Sequence, residues 1–307
     1  MLDIPRTGNA PHDVHVRRRH HPDWLKVRLP SGVTYNQVRT TLKENKVSTV
    51  CEKAKCPNIA ECYGRGTATF LIMGDVCTRK CFYCNIRNGT SEGLDRQEPE
   101  KIAVTVNKLN LNYAVITSVT RDDLPDYGAE QFYNTVIEIR KLRPECKVEI
   151  LTPEFKGDLK LLERVLDSTP YIFNHNIEVV RDLFPHVRPG GCYDLSLRVL
   201  EHAGNYLSFI KSGLMIGLGE TKEQVLETLH DLRRAGVVIL TIGQYLQPGK
   251  DLSEVKKYYT IQEFNEFKEE ALEMGFSHVF SGPLVRSSYH AEEVVRHSRK
   301  TSLKCLK

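Results

Sequence analysis

From about residue 67 onward the chain alternates short apolar, β-branched runs with longer stretches of helical period, and nothing else in its 307 residues narrows the choice of folds as far. The runs that read as buried strands fall at residues 67–74, 112–119, 147–153, 171–177, 209–218 and 237–245, with a shorter seventh at 278–281. Each is followed by enough chain for a helical crossover, the connection that makes neighbouring strands parallel. The helical side is clearest at 221–236. Thr221 and Gln224 stand there at capping-box spacing, Val225, Leu226, Leu229 and Leu232 share one face, and Gly236 ends the segment. Thr260 with Glu263 opens a second helix carrying Phe264, Phe267, Ala271 and Met274, closed by Gly275. Residues 131–142 and 159–166 fit the same role. Six strand–helix units predict an α/β fold, a partial TIM-like (β/α)6 barrel, with the chemistry in the loops that follow the C-terminal ends of the strands.

The ends of the chain do not join this rhythm. Residues 1–62 and 283–307 are therefore read as extensions flanking a barrel at 63–282. Lys and Arg number 43 against 39 Asp and Glu, a net charge of +4 that is too mild to argue for nucleic acid. Basic residues gather at the termini, in Arg17, Arg18 and Arg19 and again in Arg296, Arg299, Lys300, Lys304 and Lys307. A solvated tail is the plain reading of such runs, and a docking surface for an acidic protein is the sharper one. No apolar run approaches the roughly 18 residues of a spanning helix, and no secretory signal opens the sequence. Asp3, Pro5, Pro11 and Asp13 make the start a poor transit peptide. The expectation is a cytoplasmic monomer that engages neither membrane nor nucleic acid.

Nine cysteines in a chain of this kind read as metal ligands before disulfides, because a reducing cytosol opposes stable disulfides. Six lie between positions 51 and 84, while Cys146, Cys192 and Cys305 stand apart as ordinary thiols. Cys77, Cys81 and Cys84 form Cys-x3-Cys-x2-Cys in the loop after the first strand. Three thiolates can hold three irons of a cubane and leave the fourth open. A zinc site is the competing reading, but it needs a fourth ligand, and no histidine occurs between 51 and 84. Cys51, Cys56 and Cys62 form a looser Cys-x4-Cys-x5-Cys triplet just before that strand. A second iron–sulfur cluster is its expected occupant, with a fourth ligand from elsewhere in the chain or from substrate.

With these triplets and the C-terminal stretch Arg286-Ser287-Ser288-Tyr289, the sequence resembles the lipoyl synthase family of the radical S-adenosylmethionine (SAM) superfamily. The likeness runs from about Val50 to Ala291. It includes Ile116-Thr117-Ser118-Val119 with Arg121-Asp122-Asp123-Leu124, Phe173-Asn174-His175-Asn176, Val187-Arg188-Pro189-Gly190, Lys211-Ser212-Gly213-Leu214-Met215, Gly217-Leu218-Gly219-Glu220-Thr221 and Thr241-Ile242-Gly243-Gln244-Tyr245-Leu246-Gln247-Pro248. One departure stands out: Tyr127 occupies a position, just before Gly128, where the family pattern leads us to expect glycine. The glycines at 217 and 219 are no dinucleotide fingerprint, since Lys222 stands where the third glycine belongs.

The resemblance implies a barrel of the radical SAM type, two 4Fe-4S clusters, and Ser288 as the fourth ligand of the auxiliary cluster on Cys51, Cys56 and Cys62, with Ser287 as the competing choice. It implies insertion of two sulfur atoms at C6 and C8 of an octanoyl chain on a lysine of a lipoyl domain, with two SAM molecules used per lipoyl group and the auxiliary cluster as sulfur donor. Those methylenes are unactivated, so no side-chain base could remove their protons and only a radical route serves. The partners it implies are octanoylated lipoyl domains of 2-oxoacid dehydrogenase acyltransferase subunits and the glycine-cleavage H protein, a low-potential electron donor, and an iron–sulfur carrier that rebuilds the auxiliary cluster. By position after strands, Thr117 and Ser118 are candidates for the methionine amino group of SAM, Asn174 for the ribose and Arg188 for the carboxylate. A peptide-modifying radical enzyme whose second cluster survives turnover is the nearest competitor, and a simple electron carrier a more distant one.

Overall fold

The structure, a computed structural model, describes residues 22, 24–26, 29, 31–289 and 291–293. Helix α1 (Val33–Glu44), the two-residue strand β1 (Ser48–Thr49) and the short helices α2 (Val50–Lys53) and α3 (Ile59–Gly64) precede the first barrel strand, β2 (Thr69–Ile72). A small parallel pair, β3 (Val76–Cys77) and β4 (Arg87–Asn88), frames the loop that follows. The chain then alternates α4 (Glu98–Lys108), β5 (Tyr113–Ser118), α5 (Ala129–Leu142), β6 (Lys147–Leu151), α6 (Leu159–Leu166) and β7 (Ile172–Asn174). It continues through α7 (Phe184–Val187), α8 (Tyr193–Gly204), β8 (Ile210–Ile216), α9 (Lys222–Arg234), β9 (Ile239–Gln244), α10 (Ile261–Glu273) and β10 (His278–Gly282).

These strands form one sheet in the order β1-β2-β5-β6-β7-β8-β9-β10. Every neighbouring pair from β2 to β10 is parallel, and only β1 pairs antiparallel, with β2. The sheet is therefore open, and the short seventh run extends the six expected units by one strand. The strands are buried on both faces: all six residues of β9 and six of the seven in β8 are buried. Helices cover one face, and the other lines the barrel interior.

Local sequence explains where the helices begin. Both capping boxes form, Thr221 with Gln224 before α9 and Thr260 with Glu263 before α10. Asp158 caps α6 by accepting from the backbone of Lys160 and Leu161. In the N-terminal extension, α1 inserts Val38 and Leu42 into the same core as the barrel strands. None of the described helices is long and apolar enough to cross a membrane. The basic runs at 17–19 and 296–307, and Cys305, lie outside the described residues.

Candidate active site

The first cysteine triplet is held by backbone as much as by side chains. After β2 the chain turns through Met73 and Gly74, both with positive φ, and the Met73 amide donates to Glu98 Oε2 at 2.8 Å. Cys77 Sγ accepts from the Arg79 and Thr120 amides at 3.4 and 3.3 Å. Thr78 binds the Thr120 carbonyl through its amide and its hydroxyl, each at 3.0 Å, so the loop is pinned to the exit of β5. Further along, the Phe82 amide donates to the Val187 carbonyl at 2.9 Å and the Phe82 carbonyl accepts from Ser253 at 2.8 Å. Burial pushes the Cys81 thiol above its ordinary value, eased by the Arg188 charge and a hydrogen bond from Tyr83. Burial pushes Cys84 up to about 12, with Cys81 and Cys77 near enough to raise it further. Cys81 and Cys84 are therefore protonated at neutral pH in the free chain, so a metal taken up here would displace their protons.

Around this loop, at the C-terminal ends of three adjacent strands, lies a set of polar atoms with nothing to bind. Ser118 Oγ, Thr152 Oγ1, Asn174 Oδ1, His175 Nε2 and Asn176 Oδ1 are all buried and have no hydrogen-bond partner among the described residues. Each such atom costs on the order of 1–3 kcal/mol, a cost that makes sense where a ligand completes the bonds. Of the two hydroxyls singled out from sequence, Ser118 belongs to this set, whereas Thr117 Oγ1 is spent on the Leu151 carbonyl at 3.1 Å. Asn174 turns its Nδ2 to Glu149 Oε1 at 3.0 Å, leaving Oδ1 over. Arg188, 8% exposed, donates to the Asn176 carbonyl at 3.2 Å and to Glu154 Oε2 at 3.1 Å. Glu154 also binds Arg79, which holds Asp122 through two bonds of 2.7 and 2.9 Å. Burial alone would raise the Glu154 carboxyl, but Arg188 and Arg79 overcome it and hold it below the ordinary range.

Sequence reasoning singled out Asn174 and Arg188 but assigned nothing to Arg79, Glu154 or His175. Arg79 sits inside the cysteine motif and His175 beside Asn174, so their positions carried some signal. His175 Nδ1 lies 2.8 Å from the Thr152 carbonyl, which can only accept, so the proton is on Nδ1 and Nε2 is bare. Burial, with the nearby Arg188 charge, pushes its pKa down to about 4 from 6.5. A depressed histidine pKa means the unfolded chain binds the proton more readily. Stability is then full above pH 6.5 and falls as pH drops toward 4, by up to about 3 kcal/mol. In urea unfolding, His175→Gln is expected to flatten the slope between pH 6.5 and 5; an unchanged slope would assign it to other groups.

The second triplet lies at the start of β2. Cys51 and Cys62 line one cavity with Thr67, Thr69, Tyr113 and Ser288. Burial pushes Cys51 up to about 11 and Cys62 up to about 12, and in each the neighbouring cysteines add to the rise. Burial also raises Cys56, against the opposing charge of Arg286. The serine is brought across more than two hundred residues of sequence by a set of clamps. Asn58 Nδ2 donates to the Leu284 carbonyl at 2.7 Å, Tyr289 donates to both Glu61 oxygens at 3.1 Å, and Arg65 pairs with Glu292. Ser288 rather than Ser287 lines the cavity.

One glycine makes that approach possible. A Cβ on Gly243 in β9 would stand 2.1 Å from the Val285 carbonyl oxygen, a backbone atom that cannot swing aside. Gly243→Ala is expected to lift the 283–286 segment and to destabilise the chain by roughly 1–3 kcal/mol. Iron per chain should fall toward that of one cluster while reductive SAM cleavage persists. Full iron content in that variant would mean that the segment does not need this contact.

Other features separate from the site. Tyr127 adopts φ 51°, a left-handed backbone that favours glycine, so the family's expected residue matches the conformation and the tyrosine tolerates it beside Gly128. In the Gly217–Glu220 turn the Glu220 carboxylate accepts from the Gly217 and Leu218 amides at 2.5 and 3.0 Å, occupying the donors that a phosphate would need. Cys146 is buried and Cys192 exposed.

Comparison with known proteins agrees with this geometry. The radical SAM superfamily model matches residues 71–232, and the model for the N-terminal domain of lipoyl synthase of the radical SAM family matches residues 7–56. The lipoyl synthase of Rubrobacter xylanophilus is 50% identical over 290 residues, covering 94% of this chain and 90% of the relative. That of Caldicellulosiruptor saccharolyticus is 49% identical over 277 residues, covering 90% and 97%. Among solved structures, HydG, a maturase of the [FeFe]-hydrogenase, superposes with a TM-score of 0.52 at 13% identity over 81% of this chain and 73% of its own. Streptococcus suis SuiB bound to S-adenosylmethionine gives 0.52 at 14% identity over 70% and 50%. Those distant likenesses show the fold, the partial barrel expected from the strand–helix alternation. The sequence relationships go further, and on them the chain belongs to the lipoyl synthase family of the radical SAM superfamily.

Proposed function

We propose that this chain completes protein lipoylation, inserting sulfur at C6 and C8 of an octanoyl group carried on a lysine of a lipoyl domain. The observation that carries the proposal is the meeting of Cys51, Cys62 and Ser288 on one cavity beside a separate Cys77, Cys81 and Cys84 loop. Both donor sets fit iron–sulfur clusters. Each offers three thiols, the soft ligands that a cubane takes one per iron, and Ser288 lines the cavity that Cys51 and Cys62 line; among the described residues no group converges as a single metal ion would need. SAM fits the unpartnered atoms of the strand ends. Its ribose hydroxyls and ammonium are donors that suit Asn174 Oδ1, Asn176 Oδ1 and His175 Nε2, and its carboxylate suits Arg188. When bound, the cluster on Cys77, Cys81 and Cys84 supplies the electron that cleaves SAM, and the auxiliary cluster supplies the sulfur.

The chain's own residues bind, orient and exclude. Arg188 is kept charged and aimed by Glu154, so it meets a carboxylate without rearrangement. Neutral His175 accepts a hydrogen bond and delivers no proton. As a fourth ligand the Ser288 alkoxide would be harder and more basic than a thiolate and less suited to a soft iron, and so more easily detached, which would suit a cluster that supplies sulfur. The buried strand ends keep water from a site where a reactive alkyl radical would attack any exposed C–H bond. In the cell the substrates are octanoylated domains of 2-oxoacid dehydrogenase acyltransferases and the glycine-cleavage H protein. A low-potential donor feeds electrons, an iron–sulfur carrier restores the auxiliary cluster, and the free thiols suit a reducing cytoplasm.

The test is product analysis. Anaerobically reconstituted protein with SAM, reductant and an octanoylated lipoyl domain should yield a carrier heavier by two sulfurs. Desaturation or hydrogen loss alone would transfer the chain to a different radical chemistry.

A further inference from the structure

The barrel interior holds a charged pair that the sulfur chemistry leaves without a task. Lys211 on β8 and Glu149 on β6 are 1% and 0% exposed, with Lys211 Nζ 2.8 Å from Glu149 Oε1 and 3.1 Å from Oε2. Two further donors converge on the same carboxylate. The Tyr113 hydroxyl, at the start of β5, reaches Oε2 at 2.5 Å, and Asn174 Nδ2, at the end of β7, reaches Oε1 at 3.0 Å. A buried ion pair returns little or no stability relative to apolar side chains filling the same space. Stability therefore gives no reason for it, and its effect on Asn174 does.

The two ends of a carboxamide are nearly the same shape, so the partners decide which way it points. An ionised carboxylate only accepts. It can face Nδ2 and not Oδ1, and Oδ1 is accordingly turned away, buried and without a partner. Lys211 donates to both oxygens and Tyr113 to one of them, so every partner of Glu149 is a donor and the carboxyl faces Asn174 as an acceptor. We infer that Glu149, held by Lys211, is a positioning residue that fixes Asn174 with its carbonyl oxygen presented to SAM as an acceptor for a ribose hydroxyl. The inference rests on the reading of Asn174 as a SAM contact.

Removing the acceptor tests it. Glu149→Leu with Lys211→Met takes out both charges together, so no buried charge is orphaned. Asn174 Nδ2 then has no acceptor, and the amide is free to offer Nδ2 to SAM, a donor against a donor. Glu149→Gln is the conservative control: Lys211 and Asn174 both donate to Oε1, so the new amide places its oxygen there and turns its NH2 to the Tyr113 hydroxyl, which can accept. The measurement is the SAM dissociation constant by equilibrium dialysis on full-length protein carrying both clusters, with iron per chain confirming equal loading.

The double variant and Asn174→Ala are each expected to weaken SAM by about tenfold or more, the scale of one buried hydrogen bond lost or inverted. Glu149→Gln should stay within about threefold of the unaltered enzyme, since its oxygen still accepts from Asn174. Unchanged affinity in Asn174→Ala would remove the contact itself and the positioning role with it. Weakened Asn174→Ala beside an unchanged double variant would keep the contact and overturn the positioning role. Glu149→Gln as weak as the double variant would also overturn it. If the double variant does not fold, Glu149→Ala with Lys211→Ala takes its place: a tenfold loss supports the inference, and unchanged affinity overturns it.

Discussion

Replacing Cys81 with alanine is expected to abolish reductive cleavage of SAM to 5′-deoxyadenosine, by at least ~1000-fold, because no side chain can substitute for a lost electron source. The loop around Cys81 is held by the Thr78, Phe82 and Ser253 backbone bonds, none of which uses its thiol, so the fold should survive. Iron per chain should drop by about half, leaving the auxiliary cluster in place. The measurement is chromatographic quantification of 5′-deoxyadenosine after reduction with dithionite. Cleavage at more than a few per cent of the normal rate would show that Cys81 is not a ligand.

The second large effect separates the two sites. Ser288→Ala is expected to leave 5′-deoxyadenosine formation within a few-fold of normal, since Ser288 lines the cavity of the other triplet. Formation of the dithiolated carrier should fall by about ten- to a hundredfold, the loss typical when a group completing a metal site is removed. Ser287→Ala serves as the control, because Ser287 does not line that cavity, and it should change neither product. If Ser287→Ala proved the more damaging, the fourth ligand would move to its neighbour. Uncoupled SAM cleavage in the Ser288 variant, with little sulfur transferred, is the signature that distinguishes an emptied donor site from a misfolded chain.

Much of this architecture was legible in the sequence because the signals were local. The capping boxes at Thr221 and Thr260 gave two helix starts within a residue, and the β-branched runs gave every parallel strand of the main sheet, since fully buried strands need little more than apolar length; the small β3–β4 pair carried no such signal. The elements that were harder to read lack such signals. Helix α1 follows an uncapped Gly32, and α8 begins at Tyr193 after Cys192, which makes no side-chain cap, and a Pro-Gly-Gly turn, so packing rather than capping decides both. At the site, the cysteines were evident from spacing, but the Arg79–Glu154–Arg188 chain joins a loop, a strand exit and a short helix. No spacing rule links such residues. The same holds for Lys211 and Glu149, whose positions within apolar strands give no hint that their charges meet. Thr117 and Ser118 were indistinguishable as neighbours; strand alternation puts them on opposite faces, and the bond to Leu151 occupies only Thr117.

The most direct measurement of the central claim, two clusters on two separate triplets, is iron and sulfide per chain after anaerobic reconstitution of three proteins. They are the unaltered chain, a variant with Cys77, Cys81 and Cys84 replaced by alanine, and one with Cys51, Cys56 and Cys62 replaced. The account predicts about eight irons in the first and about four in each of the others, with SAM cleavage lost only in the second. About four irons in the unaltered chain, or loss of all iron on removing either triplet, would contradict it.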